Sequence, residues 1–271
     1  MGISESSTVK FYCFYYKVTD IPICDELYVP VMAGNSLQKA DSRFTGDDTG
    51  DSISEENPYY SELTGIYWVW KNTCQDIVGS CHYRRYFTAK RIPFIYKLKL
   101  IASLRINKKK AGFISTNNIN LFRKRLLSRS EIIEILQEYD AILPVRRQFR
   151  YSVREHYHKY HNQTDLVIVE EIIRKKFPAY IQSFQNTINN NWLYTNNIFV
   201  LKKDQFNALM NWLFAILFAF KERIDLNNYR DYQSRVFGFM SERLITVWFN
   251  HYNLKIKELP VIYFKKLKFD T

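Results

Sequence analysis

The first ninety residues alternate between apolar runs of strand length and a run with helical spacing, and this order restricts the chain to few folds. Val9–Tyr16 is apolar and aromatic, as expected of a buried strand. A polar, acidic loop over 41–56 precedes a predicted helix over Tyr59–Asn72 and a second apolar strand over Asp76–Tyr83. Strand, loop, helix and strand in this order predict an α/β fold, in which ligands bind beyond the carboxyl ends of the strands.

The rest of the chain continues the same alternation. Ser128 and Glu131 form a capping-box signature for a helix, Asp204 is placed to cap another, and Pro178 ends a third. The further predicted strands are Asp140–Val145, Asn197–Leu201 and 259–264, and the further predicted helices are 128–139, 164–177, 204–223 and Tyr229–Tyr252. With 271 residues, 46% of them hydrophobic, we expect one domain over 1–271, a mixed sheet flanked by helices.

One segment carries most of the positive charge. The formal net charge is +12, and residues 88–130 contain twelve Lys or Arg residues and no Asp or Glu. These cations alternate with Ile, Leu, Phe and Tyr, which predicts a basic, amphipathic, helical insertion within the domain. Such a helix suits an anionic membrane surface, while a solvated insertion or a contact between subunits is the open alternative. A surface that tracks the phosphates of a nucleic acid is a further alternative.

The chain carries no sequence sign of export or of a membrane span. The longest apolar run, Trp212–Phe220, has nine residues, well short of the roughly 20 that a transmembrane helix needs. The amino terminus is polar and acidic, unlike a signal peptide. The four cysteines lack metal-site spacing and are expected to be reduced. We therefore expect a cytoplasmic protein, bound peripherally to the inner face of the cell membrane.

Six ordered blocks carry a family resemblance over about residues 9–250. They are GDSISEENPYYSELTGIYWVWKN, VGSCHYRRYF, YDAILP, YSVREHYHKYHNQTDL, NNIFVLKKDQFNALMNWLF and RVFGFMSERL. Together they resemble the bacterial capsular and exopolysaccharide glycosyltransferases long catalogued as a domain of unknown function. The resemblance implies a glycosyltransferase-A-like scaffold that moves a sugar from a nucleotide-activated donor to a surface glycan. It also implies a galactosyl or galactofuranosyl donor, with a UDP-sugar favoured, and a lipid-linked acceptor; no nucleic acid is expected as a partner.

The departing nucleotide of such a donor needs positive charge placed in advance. His82, Tyr83, Arg84 and Arg85 follow the second strand, where two guanidinium groups can clamp phosphate oxygens. The alternative is that these arginines pair with carboxylates at the edge of the core. Other predicted donor-binding residues are Lys17, Asp51, Asn57 and Glu62.

A divalent metal (Mn or Mg) is a second way of neutralising the diphosphate. No Asp-x-Asp motif stands at the end of a credible strand, and the nearest substitutes are Asp47, Asp48 and Asp51 in the acidic loop. We therefore favour metal-independent phosphate binding and predict no metal ligand, with Mn or Mg left as the alternative. Histidines 156, 158 and 161 are expected at the surface, because no complete ligand set accompanies them.

An inverting transfer also needs a base for the acceptor hydroxyl. We predict Glu242 and Asp165 as catalytic residues. Arg235 and Glu242 share a helix face, so Arg235 is expected to hold or neutralise Glu242, with a buried structural ion pair as the alternative. The predicted acceptor- or sugar-binding residues are Asn196, Asn197, Arg235 and His161. A scaffold of a polysaccharide assembly complex without catalysis is the remaining alternative function.

Overall fold

The computed structural model describes residues 3–91, 93–94, 98 and 112–267. The strands are β1 (Val9–Tyr15), β2 (Tyr28–Met32), β3 (Thr45–Gly46), β4 (Ile77–His82), β5 (Arg85–Phe87), β6 (Phe113–Thr116), β7 (Ala141–Pro144), β8 (Arg147–Gln148), β9 (Trp192–Leu193), β10 (Phe199–Lys202), β11 (Ile256–Leu259) and β12 (Val261–Phe264). The α-helices are α1 (Asn57–Tyr60), α2 (Leu63–Asn72), α3 (Ile119–Arg123), α4 (Arg129–Glu138), α5 (Val153–Tyr160), α6 (Thr164–Lys176), α7 (Ile181–Asn189), α8 (Lys203–Lys221) and α9 (Val236–Tyr252).

A mixed sheet forms the centre of the fold. Its main path runs β11-β7-β10-β4-β1-β2-β3. Strands β4, β1, β2 and β3 are parallel to one another, whereas β10 is antiparallel to both β4 and β7. Strand β12 pairs with β5 and β6, and β5 joins this group to β4. The predicted fold class, a mixed sheet flanked by helices, is confirmed.

Strand β1 shows why the sheet is covered on both faces. Successive side chains of a strand point to opposite faces, so Tyr12 and Phe14 lie in one apolar cluster while Phe11 and Cys13 lie in the other. The first cluster includes residues of α2, α6, α8 and α9, and the second includes residues of α3, α4, β5 and β12. The parallel strands are buried on both sides, which explains their unbroken apolar runs.

The helix predicted over Tyr59–Asn72 is divided in two. Ser61 has a left-handed backbone (φ 53°) between α1 and α2, and its hydroxyl accepts a hydrogen bond from Nε of Arg235 at 2.9 Å. Asn57 does not cap the helix: its Nδ2 donates to the Ser61 carbonyl at 2.8 Å. The contact with Arg235, a residue distant in the sequence, thus stabilises the break between α1 and α2. This break places Glu62 at the amino end of α2.

The long helix predicted over Tyr229–Tyr252 begins later than expected. Residues Asp231–Arg235 form a 3-10 helix, and α9 starts at Val236. Asp231 has φ 52°, a conformation that interrupts a regular helix. Asp204 lies in the first turn of α8 and makes no capping hydrogen bond, whereas the capping box of Ser128 and Glu131 is confirmed at the start of α4.

Part of the basic segment belongs to the body of the fold. Strand β6 pairs with β12, and α3 buries Ile119 and Phe122 in the second apolar cluster. The cations at 97, 99, 105 and 108–110 lie outside the described residues, so the amphipathic insertion over 88–130 stays a prediction. Within the described part of the chain, no helix has the length and apolar character needed to cross a bilayer.

Candidate active site

A cavity of about 590 Å³ opens where β1 and β4 end. Parallel strands present their carboxyl ends at one edge of a sheet, and ligands of α/β proteins bind there. The cavity is also bounded by the start of α2, the turn before β10 and the first turns of α9. Nine of the predicted site residues line it: Asn57, Glu62, His82, Tyr83, Arg84, Arg85, Asn196, Arg235 and Glu242.

The turn after β4 supplies the positive wall of the cavity. Nη1 of Arg84 donates to the main-chain carbonyl of Lys265 at 3.2 Å, and the guanidinium lies over the Tyr83 ring. The Arg85 guanidinium lies 5.3 Å from the centre of the Tyr263 ring. Among the described residues, neither arginine forms an ion pair. Both cations therefore remain able to bind an anion.

His82 shares this wall but is neutral. Its burial, together with the charges of Arg85, Arg235 and Arg84, holds the pKa of the imidazole well below its usual range. Burial also lowers the pKa of Arg85, which nevertheless stays a cation at neutral pH because guanidinium groups do not deprotonate in proteins. An uncharged His82 does not add to the positive charge of the two arginines.

Glu62 also lines the cavity and is held by a hydrogen-bond network. Its Oε1 accepts from Nδ2 of Asn197 at 2.9 Å, and its Oε2 lies 3.6 Å from Nη2 of Arg235. Asn197 Oδ1 in turn accepts from the hydroxyl of Ser241 at 3.0 Å. The network links the start of α2 to the turn before β10 and to α9. Arg235 was expected to neutralise Glu242, and the structure instead pairs it with Glu62.

Glu242 reaches the cavity from the second turn of α9. Its Oε1 accepts the main-chain N–H of Asn196 at 2.6 Å, and its Oε2 lies 3.4 Å from Nη1 of Arg243. Burial raises the pKa of the Glu242 carboxyl, and the charge of Glu62 adds to the rise. Arg243, the Asn196 hydrogen bond and Arg147 act in the opposite direction. A half-buried carboxylate with a raised pKa can accept a proton from a substrate hydroxyl.

Asp165 is separate from the cavity. It is fully buried, and its two oxygens accept hydrogen bonds from the hydroxyls of Tyr157 and Tyr229. Burial raises the pKa of this carboxyl, while the two tyrosine hydrogen bonds lower it. With both oxygens occupied inside the core, Asp165 has the geometry of a structural residue, and the structure does not support its predicted catalytic role.

Four other predicted residues also lie outside the cavity lining. Asn197 is buried and positions Glu62. His161 packs its ring 4.3 Å from that of Phe239, with Nδ1 2.9 Å from Oε1 of Gln233. Asp51 accepts a hydrogen bond from the Tyr67 hydroxyl at 2.9 Å. Nζ of Lys17 lies 5.5 Å from the centre of the Tyr16 ring. The structure does not place these side chains where a donor in the cavity would touch them.

The carboxylates of the acidic loop do not fit a metal site. Asp47 is fully buried, and its oxygens accept from the main-chain N–H groups of Gly34 and Asn35 and from the hydroxyl of Ser54. Asp48 accepts from Nδ2 of Asn35 at 2.8 Å. No group of three or more His, Cys, Asp or Glu side chains placed to hold a metal occurs in the part of the chain that the structure describes.

Several lining residues were not predicted from the sequence. Tyr16 follows β1 with its ring edge-on to Tyr83 at 5.4 Å, and Asp231, Tyr232 and Phe239 close the side formed by α9. Tyr16 directly follows a buried strand, and this position could have identified it as a site residue from the sequence. No sequence signal marks Asp231 and Tyr232, because they reach the cavity only through the 3-10 helix before α9.

Comparisons with known proteins identify a family and a similar solved structure. The profile of a family described as a domain of unknown function, DUF4422, matches residues 10–253. Among solved structures, the chain is similar to the bifunctional glycosyltransferase WbbM in its apo form, with a TM-score of 0.84 and 28% identity. That similarity covers 97% of this chain and 46% of the WbbM chain, so the chain spans less than half of that protein's length. No curated protein matches the sequence.

Proposed function

This chain belongs to the DUF4422 family, and from that premise we propose that it is a glycosyltransferase that uses a nucleotide-diphosphate sugar. The observation that carries the proposal is the cavity in which Arg84 and Arg85, free of carboxylate partners among the described residues, line the same space as Glu62 and Glu242. Cations for a leaving diphosphate and a carboxylate for an incoming hydroxyl are what an inverting sugar transfer requires.

The proposed step uses these side chains and the two substrates. The donor diphosphate lies against Arg84 and Arg85, and the acceptor hydroxyl lies near Glu242. The acceptor oxygen forms a bond to the anomeric carbon, and the bond between that carbon and the phosphate oxygen breaks. Its electron pair leaves with the nucleoside diphosphate, whose added negative charge the two guanidinium groups stabilise. The hydroxyl proton passes to the Glu242 carboxylate, whose raised pKa favours proton uptake.

Glu62 and Arg235 bind the sugar in this proposal. Glu62 is held by Asn197 and Arg235, so its direction is fixed before the substrate arrives. A fixed carboxylate is a good acceptor for sugar hydroxyls, and Arg235 offers donors beside it. The exposed ring of Tyr16, next to Tyr83, is a surface on which a nucleobase can stack.

The finer parts of the proposal rest on the sequence resemblance. They are a UDP-sugar donor, galactose or galactofuranose as the sugar, and a lipid-linked acceptor in capsular or exopolysaccharide synthesis. The basic segment over 88–130 and its expected contact with anionic lipid place the enzyme at the inner face of the membrane in this proposal. We propose one catalytic domain for the whole chain.

Calorimetric titration of UDP, GDP and CMP into the purified protein, with and without a chelator, tests the proposal. We expect one nucleotide to bind, with unchanged affinity in the chelator. Arg85→Met is expected to weaken that binding about 10- to 100-fold, since a hydrogen bond to a charged group contributes about 1.5–3 kcal/mol. Arg43→Met is the matched control, because its guanidinium is exposed and pairs with Asp41. A folded protein that binds none of the three nucleotides would overturn the enzyme assignment.

A further inference from the structure

A second cavity of about 360 Å³ adjoins the first. Arg85 and Asn196 line both cavities, so the two spaces meet at these residues. The remaining walls come from β6, β8, the turn before β10 and the end of β12. The lining residues are Arg85, Phe113, Ser115, Arg147, Thr195, Asn196, Tyr263 and Lys265.

The charge of the second cavity is uniformly positive. Arg85, Arg147 and Lys265 line it, and no carboxylate among the described residues does. None of the three forms an ion pair with another described residue. Nε of Arg147 is buried and has no hydrogen-bond partner within the described part of the chain. Cations gathered in a partly enclosed space repel one another, and an anion bound among them relieves that repulsion.

The remaining lining groups suit a sugar phosphate better than a bare ion. Ser115 and Thr195 offer hydroxyls, and Phe113 and Tyr263 offer aromatic surface. The Tyr263 ring already lies beside both Arg84 and Arg85. Polar groups that fix orientation, combined with apolar walls, are typical of small-molecule sites.

The residues shared by the two cavities bring the second cavity close to Glu242. Asn196 is one of these residues, and its main-chain N–H holds Glu242. Arg147 lies close enough to Glu242 that its charge lowers the pKa of that carboxyl. A molecule anchored in the second cavity therefore lies beside two residues that act on Glu242, Asn196 and Arg147.

We propose that this second cavity, lined by Arg85, Arg147 and Lys265, binds a phosphate or diphosphate group carried by the acceptor. The inference rests on the proposed glycosyltransferase function and adds a substrate class to it, because it requires the acceptor to be an anionic phosphate ester. The donor diphosphate occupies the first cavity at the same time, so Arg85 lies between two phosphate-bearing substrates.

Titration of inorganic pyrophosphate and of farnesyl diphosphate into protein saturated with UDP tests the inference. We expect each to bind at one site, and each to displace the other while UDP stays bound. Pyrophosphate that binds only by displacing UDP would overturn the second site while leaving the proposed function intact. Pyrophosphate that binds without farnesyl diphosphate doing so would overturn the assignment to the acceptor. A wild-type protein that binds no UDP contradicts the proposed function itself.

Matched variants locate the site. Arg147→Met and Lys265→Met are expected to weaken binding of both diphosphates at least about 10-fold, the loss expected for one charge-assisted hydrogen bond. Lys266→Met and Arg150→Met change neighbouring cations that do not line the cavity, and we expect these controls to bind both diphosphates like the wild type. Melting curves of all four variants establish that they are folded. Equal losses of diphosphate affinity in the test and control variants would show that the diphosphates do not bind in the second cavity.

Discussion

The main-chain N–H of Asn196 donates to Oε1 of Glu242 at 2.6 Å, and this bond ties the turn before β10 to a carboxylate that lines the cavity. Asn196 and Asn197 both have left-handed backbone conformations, with φ of 75° and 52°. Two consecutive non-glycine residues in this region are costly, and such strain is concentrated at functional sites. The turn directs one main-chain donor to Glu242 and one side-chain donor to Glu62.

Glu242→Gln is expected to lower kcat about 10²- to 10⁴-fold, the usual contribution of a general base, while the Kd for the nucleotide stays within a few-fold of wild type. The amide keeps an oxygen that can accept from Asn196 but cannot take up the hydroxyl proton. Steady-state transfer assays and calorimetry measure the two quantities. Glu171→Gln, which changes an exposed carboxylate paired with Arg223, is the control. Wild-type kcat in the Glu242 variant would remove Glu242 as the base.

The transfer rate is expected to fall on the acidic side of a pKa above the ordinary glutamate value of 4.5. Only the ionised carboxylate accepts a proton, and burial with nearby Glu62 raises the pKa of Glu242, so the loss begins at higher pH than for an exposed carboxyl. Arg243 and Arg147 oppose this rise. We therefore expect Arg147→Met to move the acidic limb of the kcat/KM profile to higher pH. A limb that moves to lower pH would contradict this arrangement of charges.

Asn196→Ala is expected to be less stable than Asn196→Gly by roughly 0.5–1 kcal/mol, because alanine is strained at positive φ and glycine is not. Both variants lose the side-chain amide, so the comparison isolates the backbone. Asn211 is exposed within α8, and there we expect the reverse order, with alanine more stable than glycine by about 1 kcal/mol. Urea denaturation measures all four. If the alanine variant were the more stable one at position 196 as well as at 211, the turn would be unstrained.

Asp165→Ala is expected to lower the free energy of unfolding by roughly 2–4 kcal/mol, since it leaves the hydroxyls of Tyr157 and Tyr229 buried without their acceptor. The transfer rate per folded molecule should stay within a few-fold of wild type. Chemical denaturation gives the first quantity, and assays well below the melting temperature give the second. A loss of kcat beyond 100-fold in fully folded protein would restore Asp165 as a catalytic residue.

Stability is expected to fall between pH 6.5 and about 4 in part because of His161. Burial lowers the pKa of this imidazole to about 4, so below pH 6.5 the unfolded chain binds a proton that the folded chain does not. His161→Phe keeps a ring beside Phe239 and removes the titration. We expect its Tm to depend less steeply on pH over this range than the wild-type Tm. Parallel plots of Tm against pH for the two proteins would contradict the role given to His161. His82, whose pKa is also lowered, contributes to the pH dependence of both proteins.

The sequence by itself determined the fold class, the family and the main motifs of the site. Apolar runs of strand length cannot be covered on both faces without flanking helices, so the alternation along the chain already predicted the mixed sheet. Residues His82–Arg85 follow a predicted strand at the edge of the sheet where ligands bind, and Glu62 stands near the start of a predicted helix. The family resemblance, added to these local positions, is why both were predicted at the donor site.

Tertiary structure decided which charged groups share the cavity. Arg235 lies seven residues before Glu242, yet it pairs with Glu62, because the 3-10 helix before α9 turns its side chain toward the start of α2. Asp165 and Glu242 are both carboxylates with buried surroundings, and only packing sends the first into the core and the second to the cavity. Sequence spacing specifies neighbours along one element, whereas ion pairs and cavities arise between elements whose separation no local pattern encodes.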